Sequence, residues 1–182
     1  MSNENHNGVG SPDPTHEEVL SKEEVHRRLK EMRASFGALI EKYGFAVMGV
    51  IEGHIYSIGV ANKGLPDLVV TLPVPHNVGA EFIKGVLTSW ERSGYSLKPL
   101  TLDFDQMSVD VQLRPLARTE QLLSTMVVQN EVFYQEYPEY YQERIEMPDY
   151  VQIVLADHEG RFPDENGYEK ETFPQVLLEK AS

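Results

Sequence analysis

The sequence predicts an α+β domain, with a mostly antiparallel or mixed sheet of about five to six strands packed by three helices. Three observations lead there. Short β-prone runs come in adjacent pairs, as "FAVMGVI" and "HIYSIGV" do around Glu52-Gly53, which reads as a hairpin. Two long stretches carry apolar residues at spacings of three and four, the mark of amphipathic helices. The order of these pieces is helix, three strands, helix, two strands, helix, strand, which lacks the strict alternation of a doubly wound fold.

Residues 1–20 are rich in Asn, Gly, Pro, Ser and Glu and are expected to form a disordered acidic tail, followed by a single domain over 21–182. Ser21 and Glu24 form a capping-box pattern that opens the first helix. Val25, Leu29, Met32, Phe36, Leu39, Ile40 and Tyr43 make its stripe, and Gly44 stops it. "DLVVTL" is apolar throughout and reads as a central strand covered on both faces. A second helix spans about 77–93, with Val78, Phe82, Ile83, Val86, Leu87 and Trp90 inward and Gly94 as its stop. "YSLKPLTLDF" and "VDVQLRPL" are strands. Thr119 caps a third helix bearing Leu122, Leu123, Met126, Val127 and Phe133. "YVQIVLAD" is the last strand, and the apolar "VLL" near the end is expected to dock.

The bulk composition narrows function. Of 182 residues, 29 are acidic and 16 are Lys or Arg, a net charge of -13. Phosphate backbones and anionic membrane surfaces are bound through Lys and Arg, so neither nucleic acid nor membrane is an expected partner. There are no cysteines. Thiolate chemistry, disulfides and Cys-based metal sites are thereby removed, and a cytoplasmic location is the expectation. The N-terminus has neither the basic nor the apolar region of a secretory signal. His54, His76 and His158 show no His-Glu-x-x-His or His-x-His spacing, so no metal site is expected. "GVGSP" joins no strand to a helix, so no cofactor loop is identified.

Four motifs remain. Gly44-Phe45, Tyr56-Ser57-Ile58-Gly59-Val60, Gly64-Leu65-Pro66-Asp67-Leu68 and Asp157 with Gly160-Arg161-Phe162-Pro163 follow one another along the chain. In this order and spacing the chain resembles the bacterial and phage family called domain of unknown function 4262. The resemblance runs over about residues 40–168. Ser57 stands for the family's Thr, Asp67 for its Glu, and Asp164 where it often has Trp. The resemblance implies which residues to watch and no particular activity.

Each motif admits two readings. His54, Tyr56 and Ile58 share one strand face, and Ile55, Ser57 and Gly59 the other. Gly59 leaves a hole beside Ser57 that a ligand or a packed helix can fill, the helix being preferred. Ser57 lacks a nucleophile elbow and an identifiable base. Gly64 to Asp67 is explained by turn chemistry, although a carboxylate at a strand start can line a cleft. Asp157 and Arg161 face each other across a turn, either as a structural clamp or as an anion site held in place by the aspartate. Tyr56, Ser57, Asp67, Asp157 and Arg161 are therefore the candidate ligand-binding residues, gathered where the sheet meets the Asp157–Arg161 turn. Tyr137, Tyr140 and Tyr141, set among glutamates in "VFYQEYPEYYQERIEMPDY", are the candidate partner-binding residues.

The preferred function is a non-catalytic binding module. It would recognise a protein with a basic or neutral surface, or a small anionic ligand, with an inhibitor or immunity-like role by association with the family. The alternative is a small-molecule hydrolase or transferase, with Arg161 binding the anion and Asp67 or Asp157 as acid–base.

Overall fold

The computed structural model describes residues 21–50, 53–105, 107–142 and 147–181. The expected tail at 1–20, together with Glu52, Glu143 and Glu146, lies outside the described residues.

Helix α1 covers Lys22–Tyr43. The Ser21 hydroxyl accepts from the Glu24 amide, and Gly44, at φ 84°, turns the chain out of the helix with its N–H on the Ile40 carbonyl. The capping box is half made, because the Glu24 carboxylate turns to Arg27 and Arg28 instead of reaching back. The stripe also differs from expectation. Phe36 and Ile40 are buried, whereas Val25, Leu39 and Tyr43 are largely exposed. The third buried residue is Arg33, which makes a two-pronged ion pair with Glu136 and also donates to Gln129.

Strands β1 (Ala46–Gly49) and β2 (Ile55–Ile58) form the expected antiparallel hairpin. A short 3-10 turn, Val60–Lys63, leads to β3 (Asp67–Val70). Helix α2 (His76–Ser93) follows, then β4 (Leu100–Phe104) and β5 (Met107–Pro115). The expected third helix is split. A π-helical turn at Leu122–Met126 ends at Val127, where φ is -120°, and α3 runs over Val128–Glu136. Thr119 Oγ1 still caps this region through the Leu122 amide. A 3-10 turn at Pro138–Tyr140 precedes β6, Tyr150–Leu155.

The six strands form one mixed sheet in the order β1-β2-β3-β6-β5-β4. The β3–β6 pair is parallel, with Asp67 opposite Tyr150 and Val70 opposite Ile153, and its neighbours are antiparallel. These two strands have strands on both sides and helices over both faces, which is why, Asp67 and Gln152 apart, they are apolar with no alternation.

Period-two alternation then assigns the faces. Ile55, Leu68, Val70, Val151, Ile153 and Leu155 meet Phe82, Ile83, Val86 and Trp90 of α2. Tyr56, Ile58, Val69 and Tyr150 meet Phe36 and Ile40 of α1 and Val127 and Phe133 near α3. Each fully buried side chain of this size contributes about 1.5–3 kcal/mol.

The C-terminal segment docks across the second face as a strap. Buried Gln152 donates to Thr71 Oγ1 and the Val176 carbonyl and accepts from the Leu178 amide. Gln175 brackets the backbone N–H and carbonyl of Leu155.

Candidate functional site

The N-terminal ends of the parallel pair carry a buried polar network. The loop Gly64–Pro66 delivers Asp67 to the first position of β3, only 1% exposed. Its Oδ1 accepts from the Ser57 hydroxyl at 2.7 Å and the Val60 amide at 3.2 Å. Its Oδ2 accepts from the Tyr134 hydroxyl at 2.5 Å. Ser57 Oγ in turn accepts from the Leu68 amide, and Tyr134 Oη from the Gly59 amide, both at 2.8 Å. The motif positions Ser57, Gly59, Val60 and Asp67 thus form one closed circuit that ties the β2–β3 connection to α3.

A second circuit adjoins it. The Tyr150 hydroxyl donates to Glu131 at 2.5 Å. Arg118 bridges Glu131 and Asp149, each at 2.6 Å. Burial raises the pKa of Tyr134, and the charge of Asp67 adds to it. Tyr150 is raised likewise by burial and by Glu131. Both phenols are therefore held protonated, as donors. Burial lowers the pKa of Arg118, but Asp149 and Glu131 outweigh that and keep it charged.

Above this network lies a hollow of about 220 Å³ lined by Arg118, Glu131, Tyr134, Gln135, Pro138 and Tyr141. Tyr141 is 39% exposed and rests edge-on against Tyr134, with ring centroids 5.4 Å apart. Tyr137 and Tyr140 behave differently. Both pack on Phe133, and Tyr140 also lies against Gly37 and reaches Glu41, fastening α1 to α3.

The remaining candidates fall elsewhere. Tyr56 is fully buried, and burial raises its pKa. Its hydroxyl, beside the Gln129 backbone, makes no well-formed hydrogen bond among the described residues. The hole beside Gly59 is filled by a helix: a Cβ there would overlap the Ile40 side chain.

Asp157 follows the C-terminal end of β6, seven positions beyond Tyr150, so it lies roughly 20 Å along the strand from the Asp67 circuit. Its carboxylate accepts from the amides of Glu159, Arg161 and Glu169 and from Arg161 Nε. Burial raises its pKa, yet these amides and the guanidinium outweigh that and leave it lowered. The expected single recognition hollow joining Tyr56, Asp67 and Arg161 is accordingly not formed, because the two motifs sit at opposite ends of one strand.

Several network members escaped sequence reasoning. Asn130, Glu131 and Arg118 gave no motif, and Tyr134 and Tyr150 stood unassigned among the tyrosines. One signal was present. Asn130 interrupts the apolar stripe between Val127 and Phe133, a polar residue at a core position; it is fully buried and donates to the Ser57 carbonyl.

The family model for a domain of unknown function (DUF4262) matches residues 39–169, more than two-thirds of the chain. The chain belongs to that family. Neither curated proteins nor solved structures give a match. No helix among the described residues is long and apolar enough to cross a membrane.

Proposed function

We propose that this domain is a non-catalytic binding module that recognises a protein with a basic contact surface on the shelf formed by Pro138, Tyr141 and Arg118. The observation that carries this reading is an exposed tyrosine seated on a rigid polar foundation. Tyr141 lies on Tyr134, and Tyr134 is pinned by the Asp67 circuit. Pre-positioned Tyr and Arg side chains are the residue types that dominate interface energetics. In sequence the stretch 132–150 has five acids, Glu136, Glu139, Glu143, Glu146 and Asp149, against one arginine, Arg144, and the whole chain has net charge -13. Such a field steers a basic partner toward the shelf.

The acid–base alternative draws less support. Ser57 and Asp67 bond each other in the core, and Asp157 is engaged by its own turn. The anion-binding and acid–base roles assigned to Arg161 and Asp67 would be served from opposite ends of β6.

The test places photo-reactive benzoylphenylalanine at exposed Glu139 and irradiates the full chain in lysate of its source cells. A protein adduct of defined mass, lost both at high salt and in Tyr141→Ser, is expected. An adduct pattern unchanged by salt and by Tyr141→Ser, or no protein adduct, would overturn the reading.

A further inference from the structure

The free edge of β1 opens into a hollow of about 490 Å³, within the size range of small-molecule sites. It shares no lining residue with the Tyr141 hollow and does not rest on the reading given above. α1 forms one wall with Leu39 and Tyr43, which are 38% and 58% exposed. Phe45 and Val47 run along the strand edge, and Ala80 and Leu87 of α2 form the other wall. The α2 stripe that borders the hollow runs from His76 to Glu91, fifteen rises or about 22 Å of helix, so the space is elongated. His76 closes one end. Its ring packs against the bare Cα of Gly49, and its Nε2 lies 3.3 Å from the Val47 carbonyl oxygen.

Charge is confined to the rim. Lys63 and Lys84 stand there with Glu91 on the lining, and Glu81 reaches Lys84 from outside it. Lys63 bonds Glu91 at 2.8 Å, and Lys84 stands 3.5 Å from Glu81. Both pairs are solvent-exposed, and such pairs contribute only about 0–1 kcal/mol. An incoming carboxylate can replace them at little cost. On the apolar walls, conversely, Leu39 and Tyr43 stand partly in water beside the buried Leu87, and the Lys42 ammonium lies over the Tyr43 ring.

We infer that this hollow binds an elongated amphipathic carboxylate, with its apolar body along Leu39, Val47 and Leu87 and its head group at Lys63 and Lys84. A neutral molecule of the same shape would fill the walls and forfeit the rim. A cation would meet two ammonium groups.

The experiment titrates decanoate and, separately, decanol into the isotope-labelled full chain and follows backbone amide resonances. Saturable shifts at Leu39, Val47 and Ala80 are expected, with decanol weaker by about tenfold. The double variant Lys63→Ala/Lys84→Ala should weaken decanoate by about tenfold and leave decanol unchanged. Ala80→Phe, which fills the hollow, should remove both, and unchanged spectra away from the hollow would show each variant folded. Decanol binding as tightly as decanoate, shifts centred elsewhere, or no saturation would overturn the inference.

Discussion

Two buried aspartates, Asp67 and Asp157, stand at opposite ends of β6 and look alike in the sequence. Asp67 follows the Gly64 loop and Asp157 precedes the Gly160 turn, and each accepts from several donors. What differs is who the donors are. Asp157 is met by the amides and guanidinium of its own loop, from Glu159 to Glu169. Asp67 is met by Ser57 from the neighbouring strand and by Tyr134, 67 positions away. A locally satisfied carboxylate folds a turn. One satisfied from afar fixes how separate elements sit, and through Tyr134 it sets the floor of a surface hollow. The contrast teaches that polar satisfaction alone does not mark a site; continuity from the network to an exposed face does.

This comparison can be broken or sharpened by substitution. The largest effect is expected from Asp67→Ala, which strands the Ser57 and Tyr134 hydroxyls and the Val60 amide in the core. It should cost about 3–5 kcal/mol in urea unfolding. Gly59→Ala comes next. At φ 95° and against Ile40 it combines a left-handed backbone with overpacking, for about 2–4 kcal/mol. Tyr134→Phe leaves the Gly59 amide unpaired and should cost about 1–3 kcal/mol.

At the other end of β6, Arg161→Ala should cost about 1 kcal/mol or less, since its guanidinium is partly exposed while the three amides remain on Asp157. An Arg161→Ala loss as large as that of Asp67→Ala would erase the distinction between a local turn and a long-range tie. Asp157 sharpens it through pH. Its folded pKa lies below the ordinary value, so its contribution is present above about pH 4 and lost as pH falls through the depressed value. Asp157→Asn should therefore lower the melting midpoint near neutral pH and flatten its decline in acid. A mutant curve parallel to wild type would show that the clamp does not couple to folding. The smallest effect on stability belongs to Tyr141→Ser, which should unfold at the wild-type midpoint while losing the protein adduct.

Much of the fold was legible. Ser21 and Gly44 bracket α1, Gly94 ends α2, and the apolar run after Asp67 marks β3 as a central strand, while Tyr150–Leu155 was legible as a strand but not as its central neighbour. These features act within a few residues, so local sequence carries them. The α1 stripe misled because apolar spacing reports amphipathicity but not what lies opposite; Leu39 and Tyr43 reach past the sheet edge, and Arg33 is buried because Glu136 and Gln129 meet it. The third helix broke at Val127, where the π-helical turn ends and the backbone leaves helical angles. At the site, Ser57 and Asp67 could be read as polar residues in apolar surroundings. Their pairing with Tyr134 and Asn130 could not.

The sequence by itself determined most of the elements, their caps and turns, and that β3 lies at the centre, because backbone preference and side-chain periodicity are short-range. Only the tertiary structure decided which polar groups satisfy one another and which hollows open between elements. A buried carboxylate needs donors, but the identity of those donors depends on how distant segments cross, and that is settled by the packing of the whole chain.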